Sequence, residues 1–355
     1  MPIPTPEEQV QFLFKIQRIL SEGGFVSTYK YALLLALADL SVEYGDDTVP
    51  SLSLSTDELA EKFIALYRRQ VLPWVAPGAE EGHPLHQATG GKASILDRIA
   101  RAHRRVAGSL SRLRQDERSW KTLVRQVGTV IAVMPLWKLQ TVGGQQLDFL
   151  YPNVGRGRKI SLRGDAVFCF RRFHGLISEL AESAWVRFVR GLRANRPVLG
   201  DTIDLRDFLF GADRASLDSH RLVLRDLQSN RCFYCERPIR GEGAVDHFIP
   251  WSLYPLDVTP NLVLADAQCN RHKSDRLAAV PHLARWAERN ASSTFRAAQA
   301  AQPAATADAV TKVARWAYSQ AEAAAAQVWA EGRDGLVALS PAWRDHVGCA
   351  QWSDG

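Results

Sequence analysis

The sequence predicts a mainly α fold with a small β component. A mostly helical N-terminal region spans 1–204, a cysteine-bearing domain 205–282 and an Ala-rich helical tail 283–355. Three observations carry this reading. Capping signals stand ahead of apolar residues at helical spacing near residues 5–16 and 55–74. The run 309–332 is rich in alanine, the strongest helix former. Between 127 and 170, short β-branched and aromatic runs are separated by Gly, Pro and Asn, the signature of strands.

The elements follow in order. Thr5-Pro6-Glu7-Glu8 offers a cap, a proline at the first helical position and a glutamate at the third, before Val10, Leu13, Phe14 and Ile16. Ser27 and Thr28 can start a second helix, whose stretch Tyr31–Val42 is apolar nearly all round and therefore expected at the centre of a core. Ser55 to Glu58 is a second capping box. Residues 76–92 read as a Gly/Pro loop. From Ser94 to Gln126 a long helix or helical pair is expected, with Ile95, Ile99, Ala102, Val106, Leu110 and Leu113 on its apolar side. The segments VGTVIAVMPLW, LDFLYP, KISLR and AVFCF are read as short strands, and a helix is expected from Phe173 to Ala194. Residues 195–204 form a connector, and PHLARWAERN a short helix. Residues 291–308 read as a linker or weak helix, and 309–332 as a firm one.

At 355 residues the chain has room for two or three domains. A hydrophobic fraction of 46% and a charged fraction of 23% are those of a soluble globular protein. The formal charge of +6 permits a polyanionic partner without requiring one. MPIPTPEEQV has neither a basic nor an apolar leader pattern, and Tyr31–Val42 is about half the length that crosses a bilayer. Three of the five cysteines cluster in one segment, which does not resemble a secreted disulfide framework. A cytoplasmic protein with no membrane partner is expected.

The chemistry-bearing residues lie between Arg231 and Asp275. Cys232 and Cys235 form a CxxC, a knuckle that can grip tetrahedral zinc from one side. Cys269 is the evident third ligand. Asp266, three residues before it, and His272 compete for the fourth place. Then comes Asp246-His247, followed by Phe-Ile-Pro250. Cutting a phosphodiester needs a base for water and a cation for the charge of the transition state. Asp246 offers a carboxylate and Asn270 an amide oxygen to a hard cation such as Mg²⁺, and His247 offers an imidazole, a group whose unperturbed pKa lies near neutrality. Neighbours in a regular strand face opposite ways, so a working Asp-His pair calls for a bend or bulge here.

The order Cys232-x-x-Cys235, Asp246-His247-Phe-Ile-Pro250, Asn261-Leu-Val, Cys269-Asn270-x-x-Lys273 resembles the HNH nuclease domain, a ββα-metal fold. Asn261 follows His247 by fourteen residues and Asn270 follows Asn261 by nine, offsets similar to those of the HNH domain in RNA-guided CRISPR effector nucleases. The resemblance covers roughly residues 225–280. It implies that Asp246 and Asn270 hold a catalytic Mg²⁺ or Mn²⁺ and that His247 is the general base. It further implies that Asn261 holds the histidine loop through backbone hydrogen bonds and that Lys273 contacts phosphate or stabilises the transition state. Many zinc-bearing relatives have a cysteine where Asp266 stands, so the structural Zn²⁺ set reads Cys232, Cys235, Cys269 and Asp266, with His272 in competition.

Residues 221–277 carry eight Lys/Arg against seven Asp/Glu, so affinity for nucleic acid should come largely from elsewhere. The span 94–126 carries nine Lys/Arg against three Asp/Glu, and the helix near 172–194 is also basic on one side. Arg104, Arg105, Arg112 and Arg271 are the candidate nucleic-acid contacts. The expected function is a metal-dependent DNA endonuclease, in the manner of a bacterial anti-phage or restriction effector, gated by a protein partner or by oligomerisation. The alternatives are an RNase or toxin, and a zinc-stabilised nucleic-acid-binding regulatory subunit.

Overall fold

The computed structural model describes residues 2–75, 80–90, 93–105, 113–114, 116–153, 157–199, 205–211, 214–255, 258–298 and 305–347. It divides into two compact units, 1–211 and 212–355. The segment from 283 onward, expected as a tail in its own right, lies within the second unit.

The first unit is built around a buried helix. Helix α1 (Pro6–Glu22) starts from Thr5, whose hydroxyl accepts from the Glu8 amide while Glu8 accepts from the Thr5 amide, the reciprocal capping box. Helix α2 (Tyr29–Tyr44) is buried along almost its whole length, as its apolar sequence requires. Where α2 ends, Arg171 donates to the Ser41, Val42 and Gly45 carbonyls, supplying partners to a helix terminus. Strand β1 (Ser51–Ser55) leads through the Ser55–Glu58 capping box into α3 (Thr56–Tyr67). Helix α4 (Ser94–Arg105) buries Ile95 and Ile99 and exposes Arg101, Arg104 and Arg105.

Helix α5 (Glu117–Val133) is capped by Asp116, which accepts from the Ser119 amide at 3.1 Å. Among its described residues, the expected span 94–126 carries α4 and the first part of α5; residues 106–112 and 115, with Arg112, lie outside the described residues. Strand β2 (Lys159–Arg163) pairs antiparallel with β1, Ser53 opposite Ser161. Helices α6 (Gly164–Arg172) and α7 (His174–Gly191) follow, and a short helix over Leu205–Phe210 packs on α7 near the end of the unit.

Two expected strands are helices. Most of VGTVIAVMPLW lies in α5 and AVFCF lies in α6. The apolar residues of the first stretch continue a helical stripe, with Leu123, Val124, Val127 and Ile131 buried together. Burial of that stripe outweighs the few tenths of a kcal/mol by which β-branched residues disfavour a helix. LDFLYP is irregular, and only KISLR is strand, as β2. At Gly128 α5 passes close to the start of α3: a Cβ there would stand 3.0 Å from the Thr56 carbonyl oxygen, a tight contact.

The second unit opens with α8 (Arg214–Leu227). Strands β3 (Ala244–His247) and β4 (Leu262–Ala265) pair antiparallel, and helix α9 (Ala267–Lys273) follows, giving the expected ββα arrangement. Helix α10 (Val280–Ala291) and helix α11 (Ala305–Ala323) come next. The helix expected over 309–332 stops at Ala323, and Gln327–Glu331 is strand β5, paired with β6 (Gly335–Ala338). Helix propensity loses here because Val328 and Trp329 are buried from the strand. The Trp329 amide donates to Leu277 and its carbonyl accepts from Ala279, so this hairpin is joined edge-on to the chain just after the ββα block. No described helix is long and apolar enough to cross a membrane.

Candidate active site and metal-binding residues

Strand β3 keeps regular register with β4 to its last residue, Asp246 opposite Val263 and His247 opposite Leu262. The chain bends immediately after, at 248–249, so the expected bend comes one step past the pair. As strand alternation demands, the two side chains meet different neighbours. The Asp246 carboxylate meets Tyr234 and Lys273, while the His247 ring lies 5.2 Å from the ring of Trp251. Both residues are buried, at 8% and 7% exposure.

Asn261 sets the path of the bend. Its side-chain oxygen accepts from the Ile249 amide at 2.8 Å and its amide donates to the Ile249 carbonyl at 3.1 Å. Its own carbonyl accepts from the Phe248 amide at 2.7 Å. A fully buried asparagine thus satisfies the backbone of the turn that leaves His247.

Residues beyond the motif hold Asn261 in turn. The Pro260 carbonyl accepts from Trp286 Nε1 at 2.9 Å, from Arg289 at 2.9 Å and from Asn290 at 3.1 Å. Arg289 also reaches the Leu262 carbonyl at 2.8 Å. All three side chains come from α10. The sequence marked PHLARWAERN as a short helix and carried no sign of this task.

Lys273 closes helix α9 and is fully buried. Its ammonium stands 3.1 Å from Asp246 Oδ2 and donates to the His247 carbonyl at 2.9 Å. The next residue, Ser274, takes a left-handed φ of 51°, ending the helix abruptly. A lysine in this position holds the two residues of the pair from beneath and does not offer its charge to a phosphate at the surface. Of the two roles expected for it, phosphate contact and transition-state stabilisation, this burial disfavours a direct phosphate contact. Asn270 lies one turn earlier on α9, partly exposed, with no side-chain hydrogen bond described. Arg271, beside it, is exposed.

The sulfur atoms of Cys232, Cys235 and Cys269 lie within 4.8 Å of one another. Ligands on 2.3 Å bonds to a tetrahedral zinc stand about 3.8 Å apart, so the trio fits such an ion. Burial and the two neighbouring thiols push the Cys269 thiol well above its ordinary range; a zinc ion held by the three sulfurs would favour the thiolates instead. Asp266 does not join the trio: its carboxylate accepts from the Gln268 amide at 2.8 Å and caps α9. His272 is likewise outside it. Cys169 is a buried thiol of the first unit, raised to about 12 by burial.

Tyr234, inside the CxxC, escaped the sequence reading. Its hydroxyl donates to Asp246 Oδ2 at 2.5 Å. Its ring meets Phe233, His282 and Trp329 edge-on at 5.2–5.4 Å. Arg104 and Arg105 are exposed on α4 of the first unit.

Residues 232–279 match the family model described as HNH endonuclease. The match covers the CxxC, both strands and helix α9, and supports a nuclease in general. No curated protein and no solved structure matches the chain.

Proposed function

We propose that this protein is a metal-dependent endonuclease that hydrolyses phosphodiester bonds in DNA, with His247 as general base and Asp246 and Asn270 as ligands of one Mg²⁺-type cation. The observation that carries this reading is the construction around the Asp246–His247 pair. Lys273 fastens the pair from below, and Asn261 clamps the backbone two residues beyond it. Such support is what a preorganised site needs, and a chance Asp-His dipeptide in a turn has no use for it.

The donors fit a hard cation: a carboxylate with one oxygen engaged and an amide with no described partner, both oxygen ligands. A bound cation supplies stabilisation of the charge that develops on the phosphoryl oxygens. His247 takes the proton of the attacking water, with its backbone held at the carbonyl by Lys273. Zinc on Cys232, Cys235 and Cys269 anchors the knuckle to α9 and serves folding, not chemistry.

Arg104 and Arg105, with Arg271, supply phosphate contacts, and the nearly balanced charge of 221–277 leaves most affinity to the first unit. A restriction or anti-phage role in the cytoplasm, gated by a partner or by oligomerisation, follows from the pairing of a nuclease block with a large helical region.

The test is cleavage of supercoiled plasmid, single-stranded DNA and total RNA with Mg²⁺, Mn²⁺ or EDTA, beside His247→Ala. Metal-dependent cleavage of DNA, absent from the variant, is expected. Equal nicking by both proteins rejects the assignment of His247. Cleavage confined to RNA replaces DNA as the substrate.

A further inference from the structure

The Asp246 carboxylate is held asymmetrically. The Tyr234 hydroxyl donates to Oδ2 at 2.5 Å and the Lys273 ammonium lies 3.1 Å from the same oxygen. No described hydrogen bond or ion pair falls on Oδ1. Two donors on one oxygen fix the carboxylate's rotation and leave the other oxygen as the one with lone pairs to offer.

Tyr234 is itself immobilised. It is 4% exposed, and its ring is enclosed by Phe233, His282 and Trp329. Trp329 comes from β5, nearly a hundred residues away in sequence, and Trp329 and His282 stack at 5.5 Å. The hydroxyl thus has a defined height above the carboxylate, set by a hairpin and a helix that both lie outside the segment matched to the nuclease family. Nothing in zinc binding requires a tyrosine here, since the knuckle needs only the two cysteines that flank Phe233-Tyr234.

We infer that Tyr234 is a positioning residue of the catalytic cation site, its buried hydroxyl and Lys273 together gripping Asp246 by Oδ2 so that Oδ1 is presented to the cation. This rests on the reading of Asp246 as a cation ligand. The β5–β6 hairpin is then a working part of the nuclease unit, because it holds the ring that carries that hydroxyl.

The test uses full-length, zinc-loaded protein and compares wild type, Tyr234→Phe and Asp246→Ala. Phenylalanine keeps the ring contacts and removes only the hydroxyl. Mn²⁺ binding is read directly from the electron paramagnetic resonance signal of the free ion, and the Mg²⁺ dependence of plasmid cleavage is measured in parallel. Tyr234→Phe should retain wild-type zinc content and bind Mn²⁺ about 10-fold or more weakly, the usual cost of removing an outer partner of a ligand. Cleavage should recover at high Mg²⁺.

Unchanged Mn²⁺ affinity in Tyr234→Phe, with binding lost in Asp246→Ala, overturns the role of Tyr234 and leaves the cation site standing. Unchanged affinity in Asp246→Ala overturns both. Should Tyr234→Phe lose zinc or unfold, the wild-type protein decides. The Tyr234 hydroxyl proton, sheltered on Asp246, should give a downfield proton resonance that shifts on Mg²⁺ addition; a resonance indifferent to Mg²⁺ rejects the proposal.

Discussion

Lys273 is completely buried, and its ammonium lies 3.1 Å from Oδ2 of Asp246. A lysine without solvent depends on that carboxylate for its charge to be tolerated, and the carboxylate depends on the lysine for its orientation. The pair ties helix α9 to the end of β3.

The first prediction concerns stability. Asp246→Ala strands the Lys273 charge, and breaking a buried pair from one side costs about 3–5 kcal/mol. Adding Lys273→Met should restore a large share, because the two changes act on one interaction. Urea unfolding of the single and double variants measures this. Additive losses would show that the pair is not coupled.

Asn261 offers a second test. Asn261→Ala removes both hydrogen bonds to Ile249 and leaves buried backbone groups unpaired, at about 1–3 kcal/mol. If the clamp sets the His247 turn, cleavage should fall about 100-fold, the scale of an ångström's misplacement, with zinc content unchanged. Wild-type turnover in a folded Asn261→Ala protein would deny it that role.

Zinc can be counted. The purified chain should hold about one zinc, and Cys232→Ser or a strong chelator should unfold the nuclease unit, since structural zinc contributes on the order of 10 kcal/mol to folding. Asp266→Ala should cost about 1 kcal/mol as a lost helix cap while zinc stoichiometry holds. Zinc lost from Asp266→Ala would instead make the aspartate the fourth ligand.

A pH dependence follows from His282. Its Nε2 donates to the Ala330 carbonyl at 2.7 Å and its Nδ1 accepts from Arg285 at 3.0 Å, an arrangement that suits the neutral ring. Burial, with Arg285 adding to it, lowers its pKa below the ordinary value, against smaller opposing effects of the Ala330 carbonyl, Glu331 and Glu236. The unfolded chain therefore binds more protons in acid than the folded one, so stability rises with pH in this window. The contribution is full above about pH 6.5, the unfolded value, and is lost as pH falls from there through the lower folded value. His282→Phe should flatten that part of the curve in chemical unfolding between pH 5 and 7.5. An unchanged slope would exclude His282 as its source.

The basic helix makes a prediction about salt. If Arg104 and Arg105 each neutralise one phosphate, replacing both by alanine should flatten the log–log dependence of DNA affinity on salt by about 1.8. The loss should be similar for unrelated sequences. An unchanged slope in fluorescence anisotropy would place the nucleic acid elsewhere.

Much of this was legible in the chain itself. The capping boxes at Thr5 and Ser55, the buried helix at Tyr29–Tyr44 and the order CxxC, Asp-His, Asn, Cys-Asn are local patterns, written in residues a few positions apart. Local hydrogen bonding and spacing decide such features, and they survive any tertiary arrangement. The sequence determined that a ββα block matching the HNH endonuclease model lies at 232–279 and that it carries the cysteine trio, Asp246, His247 and Asn270.

Tertiary structure decided the rest, because burial assigns roles that residue type leaves open. Val127 and Ile131 read as strand until packing against α3 made them a helix stripe. Gln327–Glu331 left a helical run because Trp329 is worth more under Tyr234 than in another turn of helix. Lys273, offered by its type for phosphate or transition-state contact, is a buried brace, Asp266 caps α9, and Tyr234, on which the sequence was silent, is a partner of Asp246. Each change depends on a neighbour distant in sequence or on a direction taken by the backbone. Spacing along the chain records neither, whereas the cost of a buried charge or an unpaired polar group enforces both.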